Sequence, residues 1–445
     1  MPTNQDKEIR TRIAPSPTGD LHIGTARTAL FSYLFAKQNG GKFIMRIEDT
    51  DKERSEDKFE KDILEGLEWL GLTADEMYRQ SERTDVYKKY IQQMLDAGTA
   101  YISKEESKQE AGKEIEVVRL KNQNKKVKFE DMVRGEIEFD TTELGDFVIA
   151  RSMDDPLYHL VVVIDDHEMG ITHVIRGEDH ISNTPRQILI QEALGISRPK
   201  YAHIPLILAP DRSKMSKRRN STSISEYRQK GYISSALVNY MALLGWNPGT
   251  EQELFTLDEL ISEFKLENIQ KGGAIFDIEK LNWFNREYIK KMSEAELLTE
   301  IEKYLPDNMK RSDMLKKIIP IITERINVFS DIEKMKTEGE LDYFFREPEY
   351  DVNNLLWKQD TDLSTAKEHL EKVIDLLEET KDFSQEDIKN AVWDYASEQG
   401  RGSVLWPVRY ALSGRDKSPD PFQLAEVLGK EETINRINNA VDKIK

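Results

Sequence analysis

Arg12-Ile13-Ala14-Pro15-Ser16-Pro17-Thr18-Gly19-Asp20-Leu21-His22-Ile23-Gly24-Thr25 is the stretch from which the fold can be read. Ile9 to Ala14 alternates charged and apolar side chains, which predicts a short half-buried strand. Pro15, Pro17 and Gly19 break it. From Ile23 to Lys37 the apolar residues Ala26, Ala29, Leu30, Tyr33 and Leu34 recur at helical spacing. His22 and Gly24 therefore sit where a strand hands over to a helix. Backbone N–H groups at a helix start attract anions. His22 adds a side-chain donor for a phosphate oxygen, and Gly24 has no Cβ to keep a flat base from the backbone. A lone His-x-Gly reads most simply as an ordinary strand–loop–helix turn with an incidental histidine; the whole run from Arg12 to Arg27 argues against that.

A second stretch complements it. Lys214-Met215-Ser216-Lys217-Arg218 falls between strand-like Ile204–Leu208 and a polar segment, expected to be helical, from Ser223. Taken alone, such a Lys/Arg run reads most simply as a solvated basic loop. Beside the first stretch it reads as a clamp on a polyphosphate. Charge on a departing pyrophosphate grows in the transition state, and fixed cations there lower the barrier. Together the two stretches imply a nucleoside triphosphate attacked at its α-phosphate.

Strand-like and helical segments alternate from Ile9 to about Tyr90, which suits a parallel sheet with crossover helices. A charged, irregular stretch from about Lys104 to Glu143 looks inserted. Strands are expected at Phe147–Ala150, Leu160–Ile164 and Tyr201–Leu208, and a helix at Ser182–Leu194. A ligand would bind at the C-terminal ends of such strands. After Ser223 the chain reads almost wholly helical, with periodic runs at Tyr232–Leu244, Glu294–Tyr304, Asp313–Ile322, Leu363–Leu377 and Phe422–Leu428.

With 445 residues, 38% of them hydrophobic, the chain should divide into several domains with ordinary cores. No apolar run approaches the roughly 20 residues that span a bilayer, and the polar N-terminus lacks a secretory pattern. No membrane association and a cytoplasmic location are expected. The absence of cysteine excludes disulfides, Cys–zinc sites and thiol catalysis. The spacings of His159, His167, His173, His180 and His203 repeat no ligand pattern, so no metal-binding side chains are expected. The net charge of −18 is a global sum, whereas phosphate contact is local. Basic clusters occur at Lys121–Lys128, Lys214–Arg219 and Lys310–Lys317. Any nucleic-acid affinity should be salt-sensitive and confined to one face.

The two stretches resemble the signature motifs of class I aminoacyl-tRNA synthetases, and within them the bacterial-type glutamyl-tRNA synthetases. Arg46–Asp51, Arg79–Arg83, Gly170–His180, Asn183–Gln187, Leu243–Trp246 and Phe276-Asp277 resemble further family blocks, and Trp406–Gly414 the distal anticodon-binding region. The resemblance runs from about Ile9 to the C-terminus. It implies an α/β Rossmann-like parallel-sheet catalytic domain (8–90 and 155–208) with an α+β acceptor-binding insertion (91–154). A mostly α-helical stem-contact domain (209–292) and an α-helical anticodon-binding region (293–445, split near 360) would follow. The helical C-terminal half suits the bacterial type and argues against the β-barrel anticodon domain of glutaminyl enzymes.

The resemblance also implies roles. Arg12 and Arg176 would meet the glutamate carboxylates, with Tyr158 beside them. Glu48 would hold the α-ammonium, and Ser16 would line the pocket. His22 would contact a phosphate, Lys214 and above all Lys217 would stabilise the leaving pyrophosphate with Arg218 in the same catalytic clamp, Gly24 would admit the base, and Asp179 and Ile207 would touch the nucleoside. Competing readings are strand-end surface residues for Arg12 and Glu48, an internal ion pair with Glu178 or Asp179 for Arg176, and a core aromatic for Tyr158. Many relatives carry a zinc knuckle after a segment like Ala100-Tyr101; here Ile102-Ser103 stand where cysteines would be expected, so no protein-bound zinc is expected. Arg219-Asn220 likewise replaces a common His-Gly.

The implied reaction is attack by the glutamate α-carboxylate on ATP, accompanied by Mg²⁺, to give glutamyl-adenylate and pyrophosphate, then transfer to the terminal ribose of tRNA(Glu), possibly also of tRNA(Gln). The carboxylate is already ionised, so catalysis reduces to positioning and charge stabilisation. The family generally needs tRNA before it activates glutamate, and the same is expected here, in a monomer. The rivals are a small-molecule nucleotidyltransferase, which would not need the helical half, and a non-catalytic RNA-binding paralogue, which would be expected to lack His22 or Lys217. A glutaminyl enzyme is a third.

Overall fold

The structure is a computed structural model that describes residues 8–51, 53–106, 114–213, 215, 223–310 and 312–444. It divides into two compact units, Met1–Asn285 and Arg286–Lys445.

In the first unit, β1 (Arg10–Ile13), α1 (Ile23–Gln38), β2 (Lys42–Ile47), α2 (Asp57–Trp69) and β3 (Glu76–Arg79) alternate, and the strands form a parallel sheet in the order β1-β2-β3. Next come α3 (Thr84–Asp96), β4 (Ala100–Glu106), β5 (Glu114–Leu120), β6 (Lys126–Asp131), β7 (Gly135–Asp140), β8 (Val148–Ser152), β9 (Asp155–Pro156) and α4 (Tyr158–Glu168). The chain then returns through β10 (His173–Gly177), α5 (Thr184–Leu194) and β11 (Lys200–Ile204). β10 and β11 are parallel. β10 approaches β1 through Thr172 N–H, which donates to Arg10 O at 2.9 Å. The sheet β3-β2-β1 and the sheet that holds β10 and β11 thus lie edge to edge in the strand order of a doubly wound nucleotide-binding fold, whose ligand crevice lies where the order reverses, between β1 and β10.

The inserted segment is more regular than its charge suggests. β6 reads exposed–buried in strict alternation from Lys126 to Asp131, so Val127 and Phe129 face inward between Lys126, Lys128 and Glu130. β6 and β7 form an antiparallel hairpin that joins the edge of the catalytic sheet, Asp131 being the register partner of Tyr201 on β11. β4, β5, β8 and β9 form a separate antiparallel sheet. Ile91, Val118, Phe129, Ile149, Leu160 and Ile188 belong to one hydrophobic core, so the insertion packs on α3, α4 and α5.

Three expectations are corrected. Leu160–Ile164 is helix α4, not a strand. Every residue from Leu160 to Asp166 is buried, so no polar face marks the helical period, and a short apolar run does not discriminate by itself. Tyr201–Leu208 is not one strand. β11 stops at Ile204, before Pro205, which has no N–H to give a ladder. Ile207–Leu208 then pairs in parallel with Ala274–Ile275. The helix expected from Ser182 starts at Thr184, after a 3-10 segment Glu178–Asn183.

Beyond Ser223 the first unit continues as helices, including Ile224–Gln229, Ser234–Leu243 and Leu257–Glu263, the last begun by a Thr256/Glu259 capping box. The second unit is helical, with helices such as Glu294–Glu302, Asp313–Arg325, Leu363–Glu379, Gln385–Gln399, Arg401–Ser413, Pro421–Leu428 and Lys430–Lys443. Buried Arg436 ties these layers together, donating to Tyr343 O at 2.7 Å and Leu412 O at 2.8 Å.

Candidate active site

A cavity of about 720 Å³ opens at the C-terminal ends of β1 and β10. At one end stands the start of α1. His22 is its N-cap, and His22 Nδ1 accepts from Gly24 N–H at 3.0 Å. In the neutral ring that acceptor role leaves the proton on Nε2, the tautomer that offers a donor to a phosphate oxygen. At Gly24 a Cβ would lie 3.3 Å from His22 Nδ1, a tight approach that would press on the histidine ring. Gly177 is similar, since its Cβ would come 2.6 Å from Asp179 Oδ1. Asp179 and Ile207 both line the cavity.

Lys214, Lys217 and Arg218 lie outside the described residues, but their flanks do not. Met215 is buried and lines the same cavity as His22 and Gly24. Ser223 forms an antiparallel bridge with His22. Ile224 N–H donates to Leu21 O at 2.9 Å. Buried Arg27 of α1 is held below its ordinary value, at about 10, by burial, and donates to Leu244 O at 2.7 Å and to Pro205 O.

The other end of the cavity is built from buried charge. Arg12 and Arg46 share one carboxylate, Asp166 on α4, at 3.2 and 2.7 Å. Arg12 Nη1 also donates to Ile175 O on β10 at 3.4 Å. Arg46 reaches Glu48 at 3.1 Å and Asp165 at 3.8 Å. Asp165 in turn accepts from Gln80 at 2.9 Å, Arg83 at 2.7 Å and Tyr87 at 2.9 Å. Burial would push the Asp166 carboxyl up, but Arg12 and Arg46 together hold it below the usual range. For Glu48 the balance is reversed: burial outweighs Arg46 and raises it. An arriving ammonium group would favour its ionised form. Ser16 Oγ donates to Glu48 O at 3.0 Å, and both residues line the cavity.

Arg176 differs from the other two arginines. It is buried at the cavity wall, yet its bonds go to neutral acceptors: Nε to His203 Nε2 at 3.1 Å and Nη2 to Thr184 Oγ1 at 2.8 Å. Burial, reinforced by Arg12, pushes its pKa down. The ion pair with Glu178 considered from the sequence is not formed; Glu178 pairs with Arg134 instead. Tyr158 is no core aromatic: it is 38% exposed, lines the cavity, and its hydroxyl lies 3.3 Å from His180 Nδ1. The cavity thus offers an acid favoured by a cation, a guanidinium lacking a carboxylate, and a donor set at a helix start. It suits a zwitterion with an additional carboxylate, next to a polyphosphate.

Arg46 as a structural cation, Asp165, Asp166, Thr184 and the role of His203 do not show in the sequence pattern. The available signal was Asp165-Asp166 directly after an apolar run: acids placed there must find cations if the run is buried.

Within the second unit, Trp406 on helix Arg401–Ser413 takes the Arg409 guanidinium over its ring at 4.9 Å, and its centroid lies 5.5 Å from that of Trp357.

A doubly wound strand order with a helix start on its cavity, Ser223 bridged to that start and Met215 of the basic segment on the cavity wall, is the frame of a class I aminoacyl-tRNA synthetase. Residues 8–109 and 102–283 match the family model of class I tRNA synthetases (E and Q), catalytic domain, and residues 295–441 that of an anticodon binding domain. The chain belongs to the class I tRNA synthetase family for glutamate and glutamine. Its relatives include a glutamate–tRNA ligase of Carboxydothermus hydrogenoformans, 42% identical with 97% of this chain and 99% of that protein covered. Another is glutamate–tRNA ligase 2 of Thermoanaerobacter pseudethanolicus, 40% identical with 98% of each chain covered. A crystal structure of a glutamate tRNA ligase from Elizabethkingia meningosepticum, in complex with its amino acid, matches with a TM-score of 0.86 at 34% identity, covering 99% of this chain and 100% of that one.

Proposed function

We propose that this chain is a glutamate–tRNA ligase. It joins L-glutamate to the 3′ end of tRNA(Glu) through glutamyl-adenylate, consuming ATP and releasing AMP and pyrophosphate. The observation that carries the choice of amino acid is Arg176, a buried guanidinium at the cavity wall whose partners are neutral. A glutamate side chain would supply the missing carboxylate in bidentate geometry. Glutamine would leave the charge uncompensated, which costs about 3–5 kcal/mol for a buried pair deprived of one partner. That charge also disfavours a glutaminyl enzyme.

In the first step Glu48 holds the α-ammonium, with Ser16 beside it. Arg176, with Tyr158 and Arg12, orients the carboxylates. ATP lies between His22, Gly24, Asp179 and Ile207, with Mg²⁺ held mainly by phosphate oxygens and water. The α-carboxylate attacks the α-phosphate in line. The bond to the pyrophosphate oxygen breaks, and the charge developing there meets Lys214, Lys217 and Arg218. In the second step the terminal ribose hydroxyl attacks the adenylate carbonyl and AMP leaves. Residues 91–154 would hold the acceptor end, 209–292 the stem and 293–445 the anticodon. A cytoplasmic monomer is the simplest setting.

The test is charging purified tRNA(Glu) and tRNA(Gln) with labelled glutamate and, separately, labelled glutamine, with and without ATP. ATP-dependent charging of tRNA(Glu) with glutamate alone is the expected result. Preference for glutamine, or no charging, would overturn the reading; labelling of tRNA(Gln) by glutamate would mark a non-discriminating enzyme.

A further inference from the structure

Arg176 and His203 are register partners on the neighbouring parallel strands β10 and β11. Their contact fixes more than proximity. Arg176 Nε carries a hydrogen, so His203 Nε2, 3.1 Å away, must accept it. The imidazole is then neutral with its proton on Nδ1. That proton has one short route: His203 Nδ1 lies 2.6 Å from Asp131 Oδ2. A doubly protonated ring would set two donors against each other at Nε2. Burial and Arg176 both disfavour that form, although Asp131 favours it, and the His203 pKa is lowered.

Asp131 is itself held rigidly. It is buried, and main-chain N–H groups of Val133 at 3.0 Å, Arg134 at 2.9 Å and His203 at 3.1 Å donate to its carboxylate. It belongs to the inserted β6–β7 hairpin, whose Arg134 grips Glu178, and Glu178 in turn accepts from Leu206 N–H at 2.9 Å. On the other side, Tyr201 stacks on His203 with an interplanar angle of 17° and lies under the Arg176 guanidinium at 5.6 Å. With Nε bound to His203 and Nη2 to Thr184, Arg176 Nη1 has no partner among the described residues. Neither Asp131 nor His203 lines the cavity.

We infer that Asp131 and His203 are positioning residues for amino-acid selection: the chain Asp131–His203–Arg176 fixes the rotation of the guanidinium, and the inserted hairpin thereby sets discrimination between glutamate and its uncharged isostere without touching either. The inference rests on Arg176 receiving the side-chain carboxylate. Bidentate pairing tolerates little rotation of the fork, so an arginine free to turn would retain its charge and lose its selectivity.

The test uses the full chain in steady-state aminoacylation, varying glutamate at saturating ATP and tRNA(Glu). His203→Gln retains an acceptor near the Nε2 position. His203→Asn retains a donor toward Asp131 but not that acceptor. His203→Leu removes both. A hydrogen bond to a charged group amounts to roughly 10-fold or more in an equilibrium constant. The glutamate KM should rise by about that factor in the Asn and Leu variants and by less than about 3-fold in Gln, with kcat and the KM for ATP little changed. Relative kcat/KM for glutamate over glutamine should fall in the same order. If His203→Leu fails to fold, the Asn and Gln pair decides alone. Rescue by Asn and not by Gln would assign His203 a merely structural role and overturn the inference, as would equal KM values in all variants. Arg176→Ala separates the two readings. An unchanged glutamate KM in Arg176→Ala would overturn the arginine's role. A raised KM there, with wild-type KM in His203→Leu, would overturn the positioning chain alone.

Discussion

Ser223 pairs with His22, so the C-terminal flank of the basic Lys214–Arg218 stretch is tied to the N-cap of the first helix. Met215, within that stretch, is buried on the wall of the same cavity. Two segments nearly two hundred positions apart in the chain therefore meet at one cavity. That convergence is what a triphosphate site needs, because the attacked phosphorus and the leaving oxygens must be gripped from opposite ends.

Lys217 is the cation proposed for the leaving pyrophosphate. Lys217→Ala should slow glutamate-dependent pyrophosphate exchange by more than about 10²-fold, in the range for a lost transition-state donor. Affinity for tRNA, measured by filter binding, should stay within about 3-fold, since the lost interaction belongs to the chemical step. Near-normal exchange in this variant would remove Lys217 from the mechanism.

Arg176→Ala should raise the glutamate KM while leaving ATP affinity intact. The guanidinium stands with neutral partners at the end of the cavity proposed for the glutamate carboxylates, whereas the end proposed for the triphosphate is formed by the start of α1. Loss of a buried charged partner corresponds to about 3–5 kcal/mol, so the rise should exceed about 10²-fold. Titrating the variant with a fluorescent ATP analogue separates the outcomes: collapse of nucleotide binding would mean that Arg176 supports the fold instead.

The fold class and the strand-to-helix junction that carries His22 and Gly24 were legible because their signals are local. Pro15, Pro17 and Gly19 punctuate the chain where β1 gives way to α1, and His22 and Gly24 fall at the junction. What failed to show was set by burial on more than one side. α4 is covered from Leu160 to Asp166, so its period vanished and it read as a strand. The charge partners were equally hidden, since Arg12 and Asp166 lie 154 positions apart and nothing in either neighbourhood names the other. His203 illustrates the same limit. As a lone histidine it suggested only a rejected metal ligand, and its role depends on Asp131, 72 positions upstream.

Asp166 is predicted to matter for stability as much as for binding. It is the carboxylate shared by Arg12 and Arg46, all three being nearly excluded from solvent. Asp166→Asn retains the shape but leaves the two guanidiniums with one fewer negative partner. The cost should be about 3–5 kcal/mol, read as a lowered urea midpoint with an unchanged slope. A shift below about 1 kcal/mol would mean that Glu48 and Asp165 suffice for Arg46 and that solvent reaches Arg12.

Glu76 gives a pH-dependent prediction whose sign is fixed. Its carboxylate accepts from Arg10 at 2.7 Å, Lys42 at 2.9 Å and Tyr78 at 2.8 Å. The Arg10 and Lys42 hydrogen bonds lead the shift, lowering its pKa from 4.5 to about 2 against a smaller opposing effect of burial. Because the folded value lies below the unfolded one, the unfolded chain binds the proton first as the solution is acidified. The stabilisation is therefore fully present above about pH 4.5, and it is lost as the pH falls toward 2. Glu76→Gln should lower the urea midpoint at neutral pH and should flatten its decline across that acid window, because the titrating group is gone. Wild type and variant should converge at the acid end. Parallel declines, with the neutral-pH gap preserved at about pH 2.5, would show that the Arg10–Glu76–Lys42 cluster contributes through packing and not through charge.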